Sequence, residues 1–189
     1  MEGQEELITN TSYESLFSAD TSLLRRDHYV TPGLGGLAST DSARVTLSLG
    51  LLLQKADTNN SSLYGVEITC SGKGRNIRIP LVRISDKTQT IWKVVNDIKK
   101  LERALDVLGD TIFFLKENNS SDYPIPSKVI VLTEEVGILK DHKDFVNKIA
   151  QENSLVVFHI TFLKSLIENS NVSQLEEILK GKGSVNLNS

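Results

Sequence analysis

Residues 89–108 read QTIWKVVNDIKKLERALDVL, and within them the apolar period changes from 2 to about 3.6. Ile91, Val94 and Val95 carry strand character. Ile98, Leu101, Leu105 and Leu108 fall on one helical face, with Lys99, Lys100, Glu102 and Arg103 turned to water. Asn96 or Asp97 is the expected N-cap. A strand therefore feeds directly into a helix, and Trp92, on that strand, is expected to pack partly buried.

Upstream of this joint, residues 44–54 (RVTLSLGLLLQ) alternate Val45, Leu47, Leu49 and Leu51 and are read as a strand. Residues 63–70 give a second strand, and SGKGR connects it tightly to a third, residues 77–84, where Pro80 suggests an edge or a bulge. Short connections between successive strands imply an antiparallel meander, since parallel neighbours need longer crossovers. Residues 1–41 are rich in Ser, Thr, Asp and Gly and are expected to be a flexible leader, with Tyr13, Leu16, Phe17, Leu23 and Leu24 as its apolar residues.

Downstream, GDTIFFLKENNSSD continues or breaks the helix. Residues 123–128 (YPIPSK) carry two prolines at alternate positions, which favours an extended polyproline conformation. Val129, Ile130, Val131 and Leu132 follow as an apolar run. A helix is expected from about Thr133, presenting Ile138 or Leu139, His142, Phe145, Val146 and Ile149. Another spans about residues 159–168, and a last one starts at Ser173 with a capping-box partner at Glu176 and ends at Gly181. Residues 42–180 thus form one α+β domain, and residues 181–189 a flexible tail.

Composition narrows the function classes. The chain has 189 residues, 39% of them apolar, and a net charge of −3, so no global positive field favours nucleic acid, and any anion binding must be local. A single cysteine, Cys70, excludes a disulfide framework. The acidic, polar N-terminus and the absence of a long apolar run argue for a cytoplasmic protein.

This order of elements resembles the PX (phox homology) domain. Asp97, Ile98, Leu101 and Leu105 match the second half of that family's R-R-Y/F-S-D-F-x-x-L-x-x-x-L motif. Residues 123–128 are similar to its proline loop, and Lys140 to Ile149 resemble its following helix, with Phe145 at a leucine position. The resemblance covers about residues 43–168 and implies a small antiparallel meander followed by a bundle of helices with a proline-rich loop. The departures carry the functional weight. The family's phosphate-binding arginine and ring-stacking aromatic fall on Val94 and Val95, which supply neither charge-assisted hydrogen bonds nor a π face. The pattern is reminiscent of PX regions in fungal Rho-family GTPase-activating proteins.

What the resemblance implies is a non-catalytic module at the membrane periphery, binding a phosphoinositide or anionic lipid through Lys93, Lys128, Lys140 and Lys143. Val129, Ile130, Val131 and Leu132 would then be either a membrane-inserting finger or a core segment. The alternative is a PX-fold protein-interaction module without a lipid site. No cofactor, metal or catalytic group is expected. Ser71 to Arg75 lack phosphate-loop spacing, Asp57, Glu67 and Lys73 lack the convergence of a metal-dependent nuclease, and His28, His142 and His159 lack ligand spacing. Lys73, Arg75, Arg78 and Arg83 put positive charge on one hairpin, read as either a solvated hairpin or a binding edge.

Overall fold

The computed structural model describes residues 24–25, 41–56, 63–72, 75–84, 89–118, 127–169 and 172–187. The strands are β1 (Leu24–Arg25), β2 (Leu63–Gly72), β3 (Arg75–Ile84), β4 (Gln89–Val95), β5 (Ser127–Leu132), β6 (Val156–His159) and β7 (Ser184–Asn186). The α-helices are α1 (Asp41–Ala56), α2 (Leu101–Asn118), α3 (Val136–Asp141), α4 (Lys143–Glu152), α5 (Ile160–Glu168) and α6 (Val172–Leu179), and a 3₁₀ turn, Ile98–Lys100, leads into α2. All seven strands form one sheet in chain order. Neighbours from β1 to β4 are antiparallel, and those from β4 to β7 are parallel.

The α+β class and the joint at residues 89–108 hold. β4 ends at Val95, Asp97 caps the 3₁₀ turn by accepting from Lys99 N, and the apolar stripe enters the core through Ile98, Leu101 and Leu108. The helix runs on through IFF to Asn118 instead of breaking.

Residues 44–54 lie in a helix, α1, not a strand. Their leucine-rich run fits both periods, but Leu49 and Leu53 are buried with Val45, Leu52 and Ala56 packed beside them, which is the 3–4 spacing of a helical stripe. The β2–β3 hairpin forms as expected. The pairing offset is the same on both sides of Pro80, but the Glu67–Pro80 position is absent from the ladder and the buried face changes there, with Ile79 in one core and Leu81 in the other, so Pro80 sits at an irregularity of β3; it also marks the point beyond which β3 has no paired residue on β4.

The larger departure is downstream of α2, where a bundle of helices is expected. Residues 127–132, 156–159 and 184–186 instead extend the sheet as parallel strands, and residues 184–186 belong to this sheet instead of a loose tail. β5 and β6 are short and almost wholly apolar, so they have no alternating signature, and β7 is only three residues long. Parallel strands covered on both faces read as continuous apolar runs.

Two cores flank the sheet. The first lies under α2, α3 and α4, with Ile91, Val95, Ile130, Leu132 and Val157 from the strands. The second lies under α1, α5 and α6, with Trp92, Val94, Val129, Val131, Val156 and Phe158. Along β4, β5 and β6 successive residues alternate between them, as the pleat requires. The crossovers from β4 to β5 and from β5 to β6 pass over the first core, whereas that from β6 to β7 passes over the second. Because the strands advance in one direction, the last crossover has the opposite hand to the first two.

Candidate functional site

In open sheets with parallel strands, ligands usually meet the carboxyl ends of the strands. Here several groups at the ends of β4 and β5 are bonded within the chain. Glu134 Oε2 accepts from Ile98 N at 2.7 Å, Asp97 Oδ1 accepts from Lys99 N at 2.9 Å, and Thr133 N donates to Val95 O at 3.1 Å. Two carboxylates thus occupy backbone donors that a ligand anion would otherwise use.

His159, at the end of β6, is buried and joins the same network. Its Nε2 faces the Glu134 carbonyl at 2.8 Å, so it donates there, and its Nδ1 accepts from Thr161 N at 3.2 Å as the N-cap of α5. Both ring nitrogens are engaged, and the histidine acts as a structural cap. Among the described residues no cluster of three or more potential metal ligands occurs.

The residues expected to bind lipid divide into two groups. Lys93 lies on β4 and Lys128 on β5, with Lys93 opposite Ile130 and Lys128 opposite Ile91. They are diagonal neighbours about 8 Å apart by strand geometry, both on the side of the first core and both half-buried. Desolvation holds the Lys128 ammonium below the usual lysine range. Lys140 and Lys143 are exposed around the α3–α4 junction, beyond the carboxyl end of β5, whereas Lys128 is near its amino end. Lys140 and Lys143 thus lie on other elements than Lys93 and Lys128, and they alternate in sequence with the exposed acids Asp141 and Asp144.

Val129, Ile130, Val131 and Leu132 do not form a membrane finger. They are β5, in the interior of the sheet, each at 0% exposure and split between the two cores. Their backbone groups are committed to β4 on one side and β6 on the other. Val94 and Val95, at the positions of the family's ligand motif, are likewise core residues on opposite faces.

Arg83 is buried, not part of a solvated hairpin or a binding edge. It pairs with Thr90 across β3–β4, and its guanidinium contacts the Glu176 carboxylate of α6 at 2.5 Å. The Glu176 side chain thus serves this buried pair. Trp92 is fully buried; its Nε1 donates to Thr90 Oγ1 at 2.6 Å, and its ring stacks on Phe158. The proline loop at residues 123–126, Asp57, Lys73 and the leader residues Tyr13, Leu16, Phe17 and His28 lie outside the described residues.

A surface feature not expected from the sequence remains. Among the described residues the exposed large apolar side chains are Val107 (39%), Phe113 (55%), Ile138 (40%) and Phe145 (37%). All belong to α2, α3 and α4, the helices over the first core. The adjacent pair Phe113–Phe114 was the available signal. Two consecutive residues are about 100° apart on a helix, and once Phe114 points inward Phe113 is left in water. No helix among the described residues is long and apolar enough to cross a membrane. No protein-family model, no curated protein and no solved structure matches the chain.

Proposed function

We propose that the chain is a non-catalytic protein-interaction module that binds its partner through the outer surfaces of α2, α3 and α4. The observation that carries this reading is that, among the side chains the structure describes, the exposed large apolar ones, Val107, Phe113, Ile138 and Phe145, all lie on these three helices. Isolated exposed apolar residues are ordinary, but confinement to the helices over one sheet face favours an interface there. The likeness to PX domains enters this reading only through the β2–β3–β4 meander and the strand-to-helix joint. The burial of Val94, Val95 and the β5 residues supports a module without the family's lipid site.

A photo-cross-linking residue at position 113, compared with one at exposed Lys164 on α5, tests the proposal. The expected result is a discrete adduct with one protein from position 113 only. Equal adducts from both positions, or none from 113, would overturn it. Membrane association is a second reading, supported by Lys93 and Lys128 sharing one face of adjacent strands. It requires both lysines, so Lys93→Glu and Lys128→Glu should each abolish binding to anionic vesicles.

A further inference from the structure

We infer that Lys93 and Lys128 form a site for a small, water-soluble anion that carries a phosphate group. The two lysines lie on adjacent interior strands and share the sheet face that bears the first core. On that face Ile91 and Val95 flank Lys93, and Ile130 follows Lys128; all three are buried, whereas the lysines are half-buried. The covering layer is thus closed beside the pair and open over it. Lysines are seldom placed on a covered face without a partner. Neither of these takes part in a hydrogen bond or ion pair with a described residue.

The carboxylates on this side of the sheet are engaged elsewhere or exposed. Glu134 and Asp97 accept from the backbone N–H groups of Ile98 and Lys99, and the charged residues of α2, α3 and α4, of both signs, are all exposed. Two like charges on Cα atoms about 8 Å apart, partly withdrawn from water, repel each other. Desolvation already holds the Lys128 ammonium below the usual lysine range. A doubly charged phosphate group answers both ammonium groups at once, whereas a carboxylate answers only one. A helix with its side chains is about 10–12 Å across, more than a lysine side chain spans, so a flat bilayer does not descend to the pair and a small ion does. The site uses the sheet face instead of the outer helix surfaces, so it stands or falls separately from the interaction reading.

The test titrates the full chain with pyrophosphate in a calorimeter and, in a separate arm, spins it down with vesicles that carry a phosphoinositide. Pyrophosphate should bind saturably, and Lys93→Met and Lys128→Met should each weaken it about tenfold or more. Lys164→Met on α5 should leave it unchanged, and added salt should weaken it. Methionine keeps the apolar stem, and unchanged Trp92 fluorescence verifies that each variant is folded. Bound anion should also raise the Lys128 pKa, followed by side-chain NMR, because it favours the charged form. The vesicles should leave the chain in the supernatant. The inference is overturned if pyrophosphate does not bind or if either lysine variant binds it as tightly as the parent chain. Sedimentation that both variants abolish would overturn it too, by assigning the pair to a lipid headgroup.

Discussion

Glu176→Leu tests how the last crossover is fastened. Arg83 is fully buried and Glu176 nearly so, and they meet across 93 residues of sequence at 2.5 Å. Removing the carboxylate leaves a guanidinium in the second core without this anion, and breaking a buried pair costs about 3–5 kcal/mol. Replacing both partners by apolar residues, Arg83→Met with Glu176→Leu, removes the desolvated charges together and should be neutral or stabilising by up to about 4 kcal/mol. The single and double variants should therefore differ in sign or by several kcal/mol. Urea unfolding followed by Trp92 fluorescence measures both, because the only tryptophan is buried in the same core, stacked on Phe158 with ring centroids 6.2 Å apart. If the double variant is as destabilised as Glu176→Leu, the loss comes from packing of α6 and not from breaking this ion pair, and the reasoning fails.

Three further outcomes follow from single positions. Gly109 lies inside α2 with open space where a Cβ would be, so Gly109→Ala should stabilise the fold by about 0.5–1 kcal/mol in the same urea assay. His159→Ala removes the cap of α5 and leaves the Glu134 carbonyl without its donor, and should destabilise by about 1–3 kcal/mol, measured as a fall in Tm. Lys128 is held below the usual lysine range by desolvation, so its charged form costs stability at neutral pH. The unfolded chain binds more protons between the lowered and the ordinary pKa, and stability rises with pH across that window. Lys128→Met should accordingly be slightly stabilising at pH 7, and the gain should vanish as the pH approaches 10.5; a gain that grows with pH would contradict the assignment.

The legible parts of the fold were those with an unambiguous period. Residues 89–108 announce a strand and a helix because Asp97 caps the junction and Ile98, Leu101 and Leu108 repeat at helical spacing. Residues 44–54 did not, since a leucine-rich run satisfies both the 2 and the 3.6 period, and only packing on the sheet selects Leu49 and Leu53. Residues 129–132 show the same ambiguity in another form. An apolar run of four has no face, and whether it meets lipid or two covering layers depends on β4 and β6, which are distant in sequence from one another. The β6 strand was hidden by its continuity with α5, at His159 and Ile160.

Charge was less legible than shape. Arg83 reads as a surface residue of a hairpin until a helix 93 residues away brings Glu176 to it. Lys93 and Lys128 share one face of adjacent strands, whereas Lys140 and Lys143 lie on α3 and α4. Phe113 is legible as the outward member of a helical pair only where the helix runs on past Gly109 and Asp110 to Asn118.

Sedimentation of the full chain with vesicles, each containing one phosphoinositide in a neutral lipid background, tests most directly whether this is a protein-binding or a lipid-binding module. The account predicts that the protein stays in the supernatant with every headgroup, because Val129 to Leu132 are committed to the core, as are Val94 and Val95. Saturable sedimentation that is lost in Lys128→Glu would contradict it.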